Sequence, residues 1–392
     1  PGPLAAQGIS DGKVKIGILN DQSGVYSDFG GQNSYEAALM AVEDFGGKVL
    51  DKPVEVVTAD HQNKPDIASN IARQWYDTEQ VDMITDLPNS AVALAVIGLS
   101  KDAKKITMVT GGGAADISGK ACTPYNFHWA YDTTMLSNVV GGALVAEGGD
   151  SWFFLTADYA FGQALERDAS AVVQASGGKV MGSVRHPLGT SDFSSFLLQA
   201  QASGAQVIGL ANAGGDAVTA IKQAREFGIL RDGRSLAGLL VFLSDVHSLG
   251  LESAQGLLLT EAYYWDLNDA TRRWSRRFAE RSGGTMPTMN HAGVYSSVLA
   301  WLNALAATDP DAGGTRIVDR MKSNPIDDPL FGPVTIRADG RAVHDMFLFE
   351  VKAPTESVGP WDYYKLVSRI PAEQAFRPMA EGGCPLVNSS AK

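Results

Sequence analysis

The chain has 392 residues, of which 45% are hydrophobic and 19% charged, so it has a globular composition and is long enough for two or three domains. Its 44 acidic and 32 basic side chains give a net charge of −12, which disfavours nucleic acid or an anionic membrane surface as a partner. No apolar run approaches the roughly 20 residues that a membrane-spanning helix needs.

Short apolar runs alternate with helical patterns over the first 110 residues. We predict strands at Val14–Leu19, Val54–Ala59, Met83–Thr85 and Ile106–Thr110, with helices at Asn33–Phe45, Asp66–Tyr76 and Ala91–Lys101. This βα alternation predicts a parallel sheet with helices on both faces.

The same rhythm restarts near residue 150. We predict strands at Trp152–Thr156, Lys179–Val184, Val207–Ala211, Leu239–Leu243 and Leu257–Ala262, with helices at Gly162–Ala175, Phe193–Ala202 and Ala217–Phe227. A third section follows, with helices at Asp269–Arg281 and Ala292–Ala307, a β-hairpin at Val334–Arg341 and a strand at Met346–Val351. We expect the segment from Ala353 to be irregular and to wrap the surface.

The usual signatures of catalysis mostly fail in the sequence. Residues 8–12 fit G-x-S-x-G, but they precede the first predicted strand, whereas a nucleophile elbow follows a strand. No two of the six histidines have the spacing of zinc ligands. The Gly111–Asp116 segment follows a predicted strand but does not match a nucleotide-binding glycine motif. We therefore expect no enzyme activity, no catalytic residue, no metal and no cofactor.

Small polar loops follow three strands of the first array, at the edge where open α/β sheets bind ligands. These loops are 20–30, which contains Tyr26 and Phe29, then 86–90 with Asn89 and Ser90, and 110–114 with Thr110, Gly112, Gly113 and Ala114. They lead into helix N-termini, where backbone N–H groups bind carboxylates. The alternative is ordinary helix capping by Asn89 or Ser90.

The second array supplies aromatic and polar residues at matching places. The candidates are Trp129 near the crossover between the arrays and Asp158, Tyr159, Phe161, Asn212 and Asp245 after strands of the second array. Aromatic walls with a few polar groups are typical of a small-molecule cleft. Taken individually, each aromatic residue is more often part of a hydrophobic core than of a ligand-binding wall.

The two cysteines, Cys122 and Cys384, both lie in segments with the composition of surface turns. They are either two free buried thiols or one disulfide that joins the C-terminal tail to the body. The turn-like neighbours favour the disulfide in an exported protein.

Several segments carry a resemblance to a known family. They are Val14–Ile18 with Ser23-Gly24 and Phe29-Gly30, then Thr110–Ala114, Asp158–Gly162, Lys222–Gly228 and Ala254–Gly256. Over residues 13–352 the chain resembles the leucine/isoleucine/valine-binding type of periplasmic solute-binding protein of ABC importers, which has the type I periplasmic-binding fold.

The resemblance implies an α/β fold class with two Rossmann-like lobes, each with a parallel sheet, joined by three hinge crossings with a ligand in the cleft. The crossings are expected near 131–133, 262–266 and 340–345. We expect an N-terminal lobe of residues 1–131 and 266–340, a C-terminal lobe of 132–265 and 341–370, and a tail of 371–392.

The resemblance also implies roles for individual residues. Phe29, Tyr159 and Phe161 correspond to aromatic residues that line the cleft, and Asn89, Ser90 and the Thr110–Ala114 loop correspond to the site of the ligand carboxylate. The sequence departs from the amino-acid-binding pattern at Ala114, where a threonine is expected, and has no clear acidic partner for a ligand ammonium. Asp245 is the nearest candidate, so an aromatic or other organic acid is favoured over an amino acid, and an amide is the third possibility.

The sequence thus predicts a periplasmic or extracytoplasmic solute-binding protein that delivers a small organic ligand to the membrane permease of an ABC importer. A regulatory sensor for an amide or amino acid on the same fold is the alternative. We expect a monomer that binds no nucleic acid and does not insert into the membrane. No signal peptide is present in the sequence, which begins Pro1-Gly2-Pro3-Leu4, as expected of a processed or engineered terminus.

Overall fold

The computed structural model describes residues 9, 11–308 and 314–388, which form two compact units. Unit 1 comprises the chain up to Tyr131, Leu267–His344 and the segment from Pro378. Unit 2 comprises Asp132–Asp266 and Asp345–Arg377. The following description takes the elements in chain order.

The first part of unit 1 alternates strands and helices, as the hydrophobic pattern predicts. Its elements are β1 (Val14–Asn20), α1 (Gly31–Phe45), β2 (Lys48–Val49), β3 (Lys52–Asp60), α2 (Pro65–Asp77), β4 (Met83–Asp86), α3 (Ser90–Ala103), β5 (Ile106–Val109) and β6 (Asn126–His128). They form one six-stranded sheet in the order β2-β3-β1-β4-β5-β6, which is parallel except for the β2–β3 pair. Strands β4 and β5 are fully buried, which is typical of a parallel sheet covered by helices on both faces.

Unit 2 begins with a second βα array. Its elements are α4 (Thr133–Leu136), α5 (Gly142–Ala146), β7 (Ser151–Ala157), α6 (Ala160–Ala175), β8 (Lys179–His186), α7 (Ser194–Ala202), β9 (Val207–Ala211), α8 (Gly214–Glu226), β10 (Ser235–Gly238), α9 (Leu243–Leu249), α10 (Leu251–Ala254) and β11 (Leu258–Glu261). A four-stranded parallel sheet has the order β10-β9-β7-β8.

The chain then returns to unit 1 and crosses once more to unit 2. The elements are α11 (Asp269–Arg281), α12 (Met289–Ala306), α13 (Gly314–Ser323), β12 (Ile326–Asp328), β13 (Gly332–Ile336), β14 (Ala342–Val343), β15 (Met346–Val351), β16 (Tyr364–Ile370), α14 (Ala372–Ala375) and α15 (Pro385–Asn388). Strands β12, β13 and β14 form an antiparallel sheet, and β11, β15 and β16 form another. Helix α12 is buried over nearly its whole length, because it packs against α1 on the unit 1 sheet.

The structure differs from two of the predicted elements. The apolar run 239–243 is not a strand; the neighbouring strand is β10, and the run leads into α9. A short apolar run is buried in either case, so its hydrophobicity alone does not distinguish a strand from a buried connection. The segment after Ala353 is not wholly irregular either, since it contains β16, which pairs with β15.

The boundaries of the units also differ in detail from the expected lobes. Residues 341–344 belong to unit 1, because β14 pairs with β13 and the Arg341 guanidinium donates to the Tyr131 carbonyl at 2.9 Å. The expected tail of 371–392 is divided: residues up to Arg377 belong to unit 2 and those from Pro378 to unit 1, while 389–392 lie outside the described residues.

A disulfide joins Cys122 to Cys384 within unit 1 and confirms the predicted pairing. The two cysteines are 262 positions apart in the sequence, and their Cα atoms are 5.6 Å apart. Both cysteines are buried. The bond attaches the segment just before α15 to the loop that precedes β6.

Replacing both cysteines by serine is expected to destabilise unit 1 by about 2–5 kcal/mol, because the open chain gains conformational freedom when unfolded. The loss is measured as a lower melting temperature of the double variant relative to the oxidised wild-type protein. The reduced wild-type protein is the control and should melt with the variant. Equal melting temperatures for oxidised and reduced protein would contradict this expectation.

Candidate functional site

A buried carboxylate organises the edge of the unit 1 sheet where β1, β4 and β5 end. Asp86, the last residue of β4, is 0% exposed. Its Oδ2 accepts from Asn20 Nδ2 at 2.9 Å and its Oδ1 from Asn290 Nδ2 at 3.0 Å. Burial raises the pKa of Asp86, while the surrounding side-chain hydrogen bonds lower it.

The backbone carbonyl of Asp86 also holds the loop after β5 in place. The carbonyl oxygen of Asp86 accepts from the N–H groups of Thr110 and Gly111, at 3.1 and 3.0 Å. The Thr110 hydroxyl donates to Asn290 Oδ1 at 3.0 Å. The loops after β4 and β5 therefore rest on one hydrogen-bonded network with the start of α12.

The loop at Gly111 packs closely against the loop after β4. A Cβ atom on Gly111 would lie 2.7 Å from Pro88 Cα, and one on Gly112 would lie 2.9 Å from the Leu87 carbonyl oxygen. Only glycine leaves room for the two backbones at this distance. The glycines of this loop therefore have a packing role in addition to any role in binding.

Asn89 has the capping role that the sequence left open, whereas the Ser90 hydroxyl bonds to the loop after β5. Asn89 Oδ1 accepts from the N–H groups of Ala91 and Val92, at 3.0 and 3.1 Å, and so caps α3. Ser90 Oγ accepts from the Ala114 N–H at 3.0 Å. Of these hydrogen bonds, only the one between Ser90 and Ala114 joins the loop after β4 to the loop after β5.

The N–H groups of Gly112 and Gly113 are different. Both glycines are buried, and neither N–H donates a hydrogen bond to a described residue. Two successive backbone N–H groups without a protein acceptor are available to donate to a ligand anion. The carbonyl of Gly112 accepts from His128 Nε2 at 2.7 Å, which fixes the orientation of the Gly112 peptide.

Of the aromatic candidates in unit 1, Tyr26 and Phe29 lie in the loop after β1, whereas Trp129 follows β6. Tyr26 and Phe29 are 1% and 2% exposed, and their ring centroids are 5.3 Å apart. The Phe29 carbonyl accepts from the Thr288 hydroxyl, which ties the loop to the start of α12. Trp129 is 0% exposed and donates its indole N–H to Ser296 Oγ at 2.8 Å, as a core residue does.

In unit 2, Asp158, Tyr159 and Phe161 follow β7 as predicted. Asp158 is exposed and pairs with Arg185 at 3.2 Å. Tyr159 is half-buried, and its ring centroid lies 6.2 Å from that of the buried Phe161. Tyr159 is therefore the most accessible aromatic residue of the predicted set.

Asp245 has a structural role in unit 2. It lies in the first turn of α9, and its Oδ2 accepts from the Phe242 N–H at 2.9 Å. The carboxylate is 2% exposed. One of its oxygens is thus used to cap a helix, which weakens its candidacy as the partner of a ligand ammonium.

A further polar cluster follows β8 and β9 in unit 2. It contains the predicted residue Asn212 together with His186 and Asp216, and all three are at most 1% exposed. Asn212 Nδ2 and His186 Nε2 are 3.1 Å apart. Asp216 Oδ2 accepts from the Gly189 N–H at 3.1 Å, and burial raises the pKa of Asp216 to about 6.

The predicted site residues do not include Asp86, Asn290, His128, His186 and Asp216. Asp86 and His186 are the last residues of strands, and this position at the carboxyl edge of a sheet was the available signal. Asn290 gave no local signal, because it comes from a distant helix.

Among the described residues, no group of three His, Cys, Asp or Glu side chains is placed to hold a metal ion. No described helix is both long and apolar enough to cross a membrane.

Two α/β units, each with polar loops at the carboxyl edge of a parallel sheet, define the class of two-lobed binding proteins. A family model described as periplasmic binding protein matches residues 13–356, and the chain belongs to that family. The predicted resemblance and fold class are therefore confirmed. The family is one of extracytoplasmic proteins that bind small ligands for ABC transporters, and this chain is a binding protein, not an enzyme.

Known proteins are similar over almost the whole chain. A periplasmic binding protein from Burkholderia mallei is 51% identical, with a TM-score of 0.93, over 95% of this chain and 99% of that protein. A branched chain amino acid ABC transporter periplasmic ligand-binding protein from Burkholderia xenovorans is 40% identical, with a TM-score of 0.84, over 95% of this chain and 100% of that protein. The Leu/Ile/Val-binding protein homolog 6 of Brucella melitensis is 26% identical over 89% of this chain and 90% of its own length.

Gly111→Ala is expected to destabilise unit 1 by about 1–3 kcal/mol, because its Cβ would displace the Pro88 backbone. Denaturant unfolding measures the loss. Gly98→Ala is the matched control: Gly98 is an exposed residue of α3 with open space around it, and the change should stabilise the helix by about 0.5–1 kcal/mol. Equal stability of the wild-type protein and the Gly111 variant would show that the close approach is not restrictive.

Asp216→Asn is expected to stabilise the protein at neutral pH. The carboxyl has a pKa of about 6 in the folded chain against an ordinary value of 3.8, so the folded state holds the proton more tightly. Its contribution to stability is present below pH 3.8 and is lost as the pH rises to about 6, a loss of about 3 kcal/mol. Asparagine does not titrate, so the variant should gain stability relative to wild type across this pH range.

The measurement is the free energy of unfolding of both proteins between pH 3.5 and 7.5, as buffer conditions allow. Asp192→Asn is the control of opposite sign, because the hydrogen bond with Ser194 lowers the pKa of this exposed carboxyl. A difference between wild type and the Asp216 variant that does not change with pH would rule out a buried, titrating Asp216.

Proposed function

We propose that the cargo of this binding protein is a small organic acid, and that the N–H groups of Gly112 and Gly113 bind its carboxylate. The observation that supports the proposal is the pair of buried N–H groups without an acceptor in the described chain. Buried backbone donors are almost always paired in native proteins, and a carboxylate oxygen is a strong acceptor for them.

The neighbouring groups suit an anion without a basic side chain. Helix α3 begins at Ser90, beside the same loop, and its N-terminus carries the positive end of the helix dipole. The network around Asp86 holds the loop in place before a ligand arrives. An anion therefore meets donors that are already oriented, which lowers the entropic cost of binding.

The aromatic residues favour an acid with an apolar part. Phe29 and Tyr26 in unit 1 and Tyr159 in unit 2 are the candidates that would contact it, and Asn89, Ser90, Thr110 and Ala114 support the carboxylate loop. The proposed set also contains Asp158, Phe161 and Asn212. Trp129 and Asp245 belong to it as residues that support the structure of the site. An amino acid is the second candidate, because the 40% identical relative from Burkholderia xenovorans is named for branched-chain amino acid transport.

We propose that both units contribute groups to the ligand and that binding shifts the population toward the state in which both make contact. The protein would then deliver its cargo, as a monomer in the periplasm, to the membrane permease of an ABC importer. No chemical step on the ligand is required for this function.

The test compares each acid with its amide: benzoate with benzamide, and leucine with leucinamide. We expect an acid present at about 100 times its Kd to stabilise the protein by about 2.7 kcal/mol, because ligand binds only the folded state. The matching amide at the same concentration should give a much smaller rise in melting temperature. Amides that stabilise the protein as strongly as the acids would overturn the proposed carboxylate site.

A further inference from the structure

Helix α11 of unit 1 concentrates positive charge in a chain whose net charge is −12. Its 13 residues contain five arginines and only two acidic side chains. The apolar side of the helix, with Trp274 and Phe278, is buried where α11 packs against α1. None of the arginines belongs to this buried side, so they lie toward the outside of unit 1. They are Arg272, Arg273, Arg276, Arg277 and Arg281.

Three of these five arginines are neutralised by acidic residues of unit 1. The ion pairs are Arg272 with Asp269 at 2.7 Å, Arg277 with Asp44 at 2.7 Å and Arg281 with Glu43 at 2.5 Å.

Arg273 and Arg276 differ from the other three. Both are exposed, and neither makes an ion pair or a hydrogen bond with any residue that the structure describes. Arg273 lies four residues before Arg277, and Arg276 lies four residues after Arg272, so each has a like charge beside it on the helix, which destabilises the helix. Both guanidinium groups are therefore available to carboxylates from outside the chain.

A cavity of about 280 Å³ lies beside these arginines. Its walls include the rings of Trp274 and Tyr295, whose centroids are 5.1 Å apart, and the side chain of Leu330. Arg273 and Arg277 line it as well. The cavity thus combines apolar walls with guanidinium groups, and all of its lining residues belong to unit 1.

The charge of the whole chain selects among anionic partners. An extended polyanion, such as nucleic acid or an anionic membrane surface, meets the repulsion of the net negative charge. A short acidic segment responds mainly to charges within a Debye length, which is about 10 Å at 0.1 M salt. The apolar walls of the cavity further favour a partner that presents an aliphatic or aromatic side chain, and arginine, tryptophan and tyrosine are the residues that contribute most at protein interfaces.

We propose that Arg273, Arg276 and the adjacent cavity form a docking surface for a partner protein, which presents an acidic segment with one apolar side chain. The two arginines bind carboxylates of the segment, and the cavity binds its apolar side chain. This surface goes beyond the proposed cargo site, because it uses neither the loop after β5 nor any residue of unit 2.

The experiment uses three peptides with blocked termini as probes: Glu-Glu-Phe-Glu-Glu, Gln-Gln-Phe-Gln-Gln and Glu-Glu-Ser-Glu-Glu. Isothermal titration calorimetry at low ionic strength gives the Kd of each, because salt screens exposed charge pairs. We expect the first peptide to bind at least about tenfold more tightly than either of the others, since only it has both the carboxylates and the apolar side chain.

Arg273→Gln and Arg276→Gln should each weaken binding of Glu-Glu-Phe-Glu-Glu about threefold, and the double variant about tenfold. The melting temperature should not fall, because neither side chain has a partner in the described chain. Arg73→Gln is the matched control: Arg73 is an exposed arginine of α2, also without a partner among the described residues, and α2 packs against α3 rather than beside α11. This control should leave the Kd unchanged.

Ala270→Leu tests the cavity separately from the charges. Ala270 is a half-buried residue of α11 that lines the cavity, and a leucine there should occupy part of its volume. We expect the variant to bind Glu-Glu-Phe-Glu-Glu no more tightly than Glu-Glu-Ser-Glu-Glu, and to bind the serine peptide as the wild-type protein does.

No binding of Glu-Glu-Phe-Glu-Glu, or equal binding of the glutamine peptide, would overturn the inference. Loss of affinity in the Arg73 variant equal to that in the Arg273 variant would overturn it as well. Sedimentation with phosphatidylglycerol vesicles, or a dimer, that the double variant abolishes would contradict the proposed partner, because a membrane or a second copy would then occupy the surface. None of these outcomes involves the cargo, so the proposed carboxylate site stands or fails independently.

Discussion

The binding edge of unit 1 depends on the hydrogen bonds that the buried Asp86 carboxylate accepts. Asp86 and Leu87 have φ angles of 79° and 54°, a left-handed conformation that costs side-chain-bearing residues about 1 kcal/mol or more each. The amides of Asn20 and Asn290 offset this cost together with the cost of burying the carboxylate. Removal of either amide would leave the buried carboxyl with fewer donors, and only the hydroxyl groups of Ser34 and Thr110 would remain beside the other amide.

This network explains how an acidic protein could bind an anion without an arginine or lysine. The Asp86 carbonyl fixes Thr110 and Gly111, and the next two peptides of the loop are left with their N–H groups unpaired. Neutral donors held rigidly supply hydrogen bonds to a carboxylate without the desolvation cost of a buried cation. The net charge of −12 therefore does not by itself exclude an anionic ligand, because the proposed donors are neutral backbone groups.

Most of the fold, and only part of the candidate site, could be predicted from the sequence. The βα alternation and the hairpin pattern at Val334–Arg341 are local signals, and they predicted both parallel sheets and the β13–β14 hairpin. The prediction of a strand at 239–243 was wrong because the only signal was hydrophobicity, which a buried connection shares with a strand. Asn290 and the His186–Asn212 pair depend on contacts between residues far apart in the chain, and no spacing rule within one segment could reveal them.

The two units differ in the hydrogen-bonding groups that they leave unpaired. Unit 1 has two buried N–H donors after β5, and unit 2 has two buried acceptor oxygens after β9. A buried polar group without a partner costs about 1–3 kcal/mol, so each pair lowers the stability of the chain until a group of opposite hydrogen-bonding character meets it. The two carboxyl edges therefore differ in the chemistry that they can bind, although both follow strands of parallel sheets.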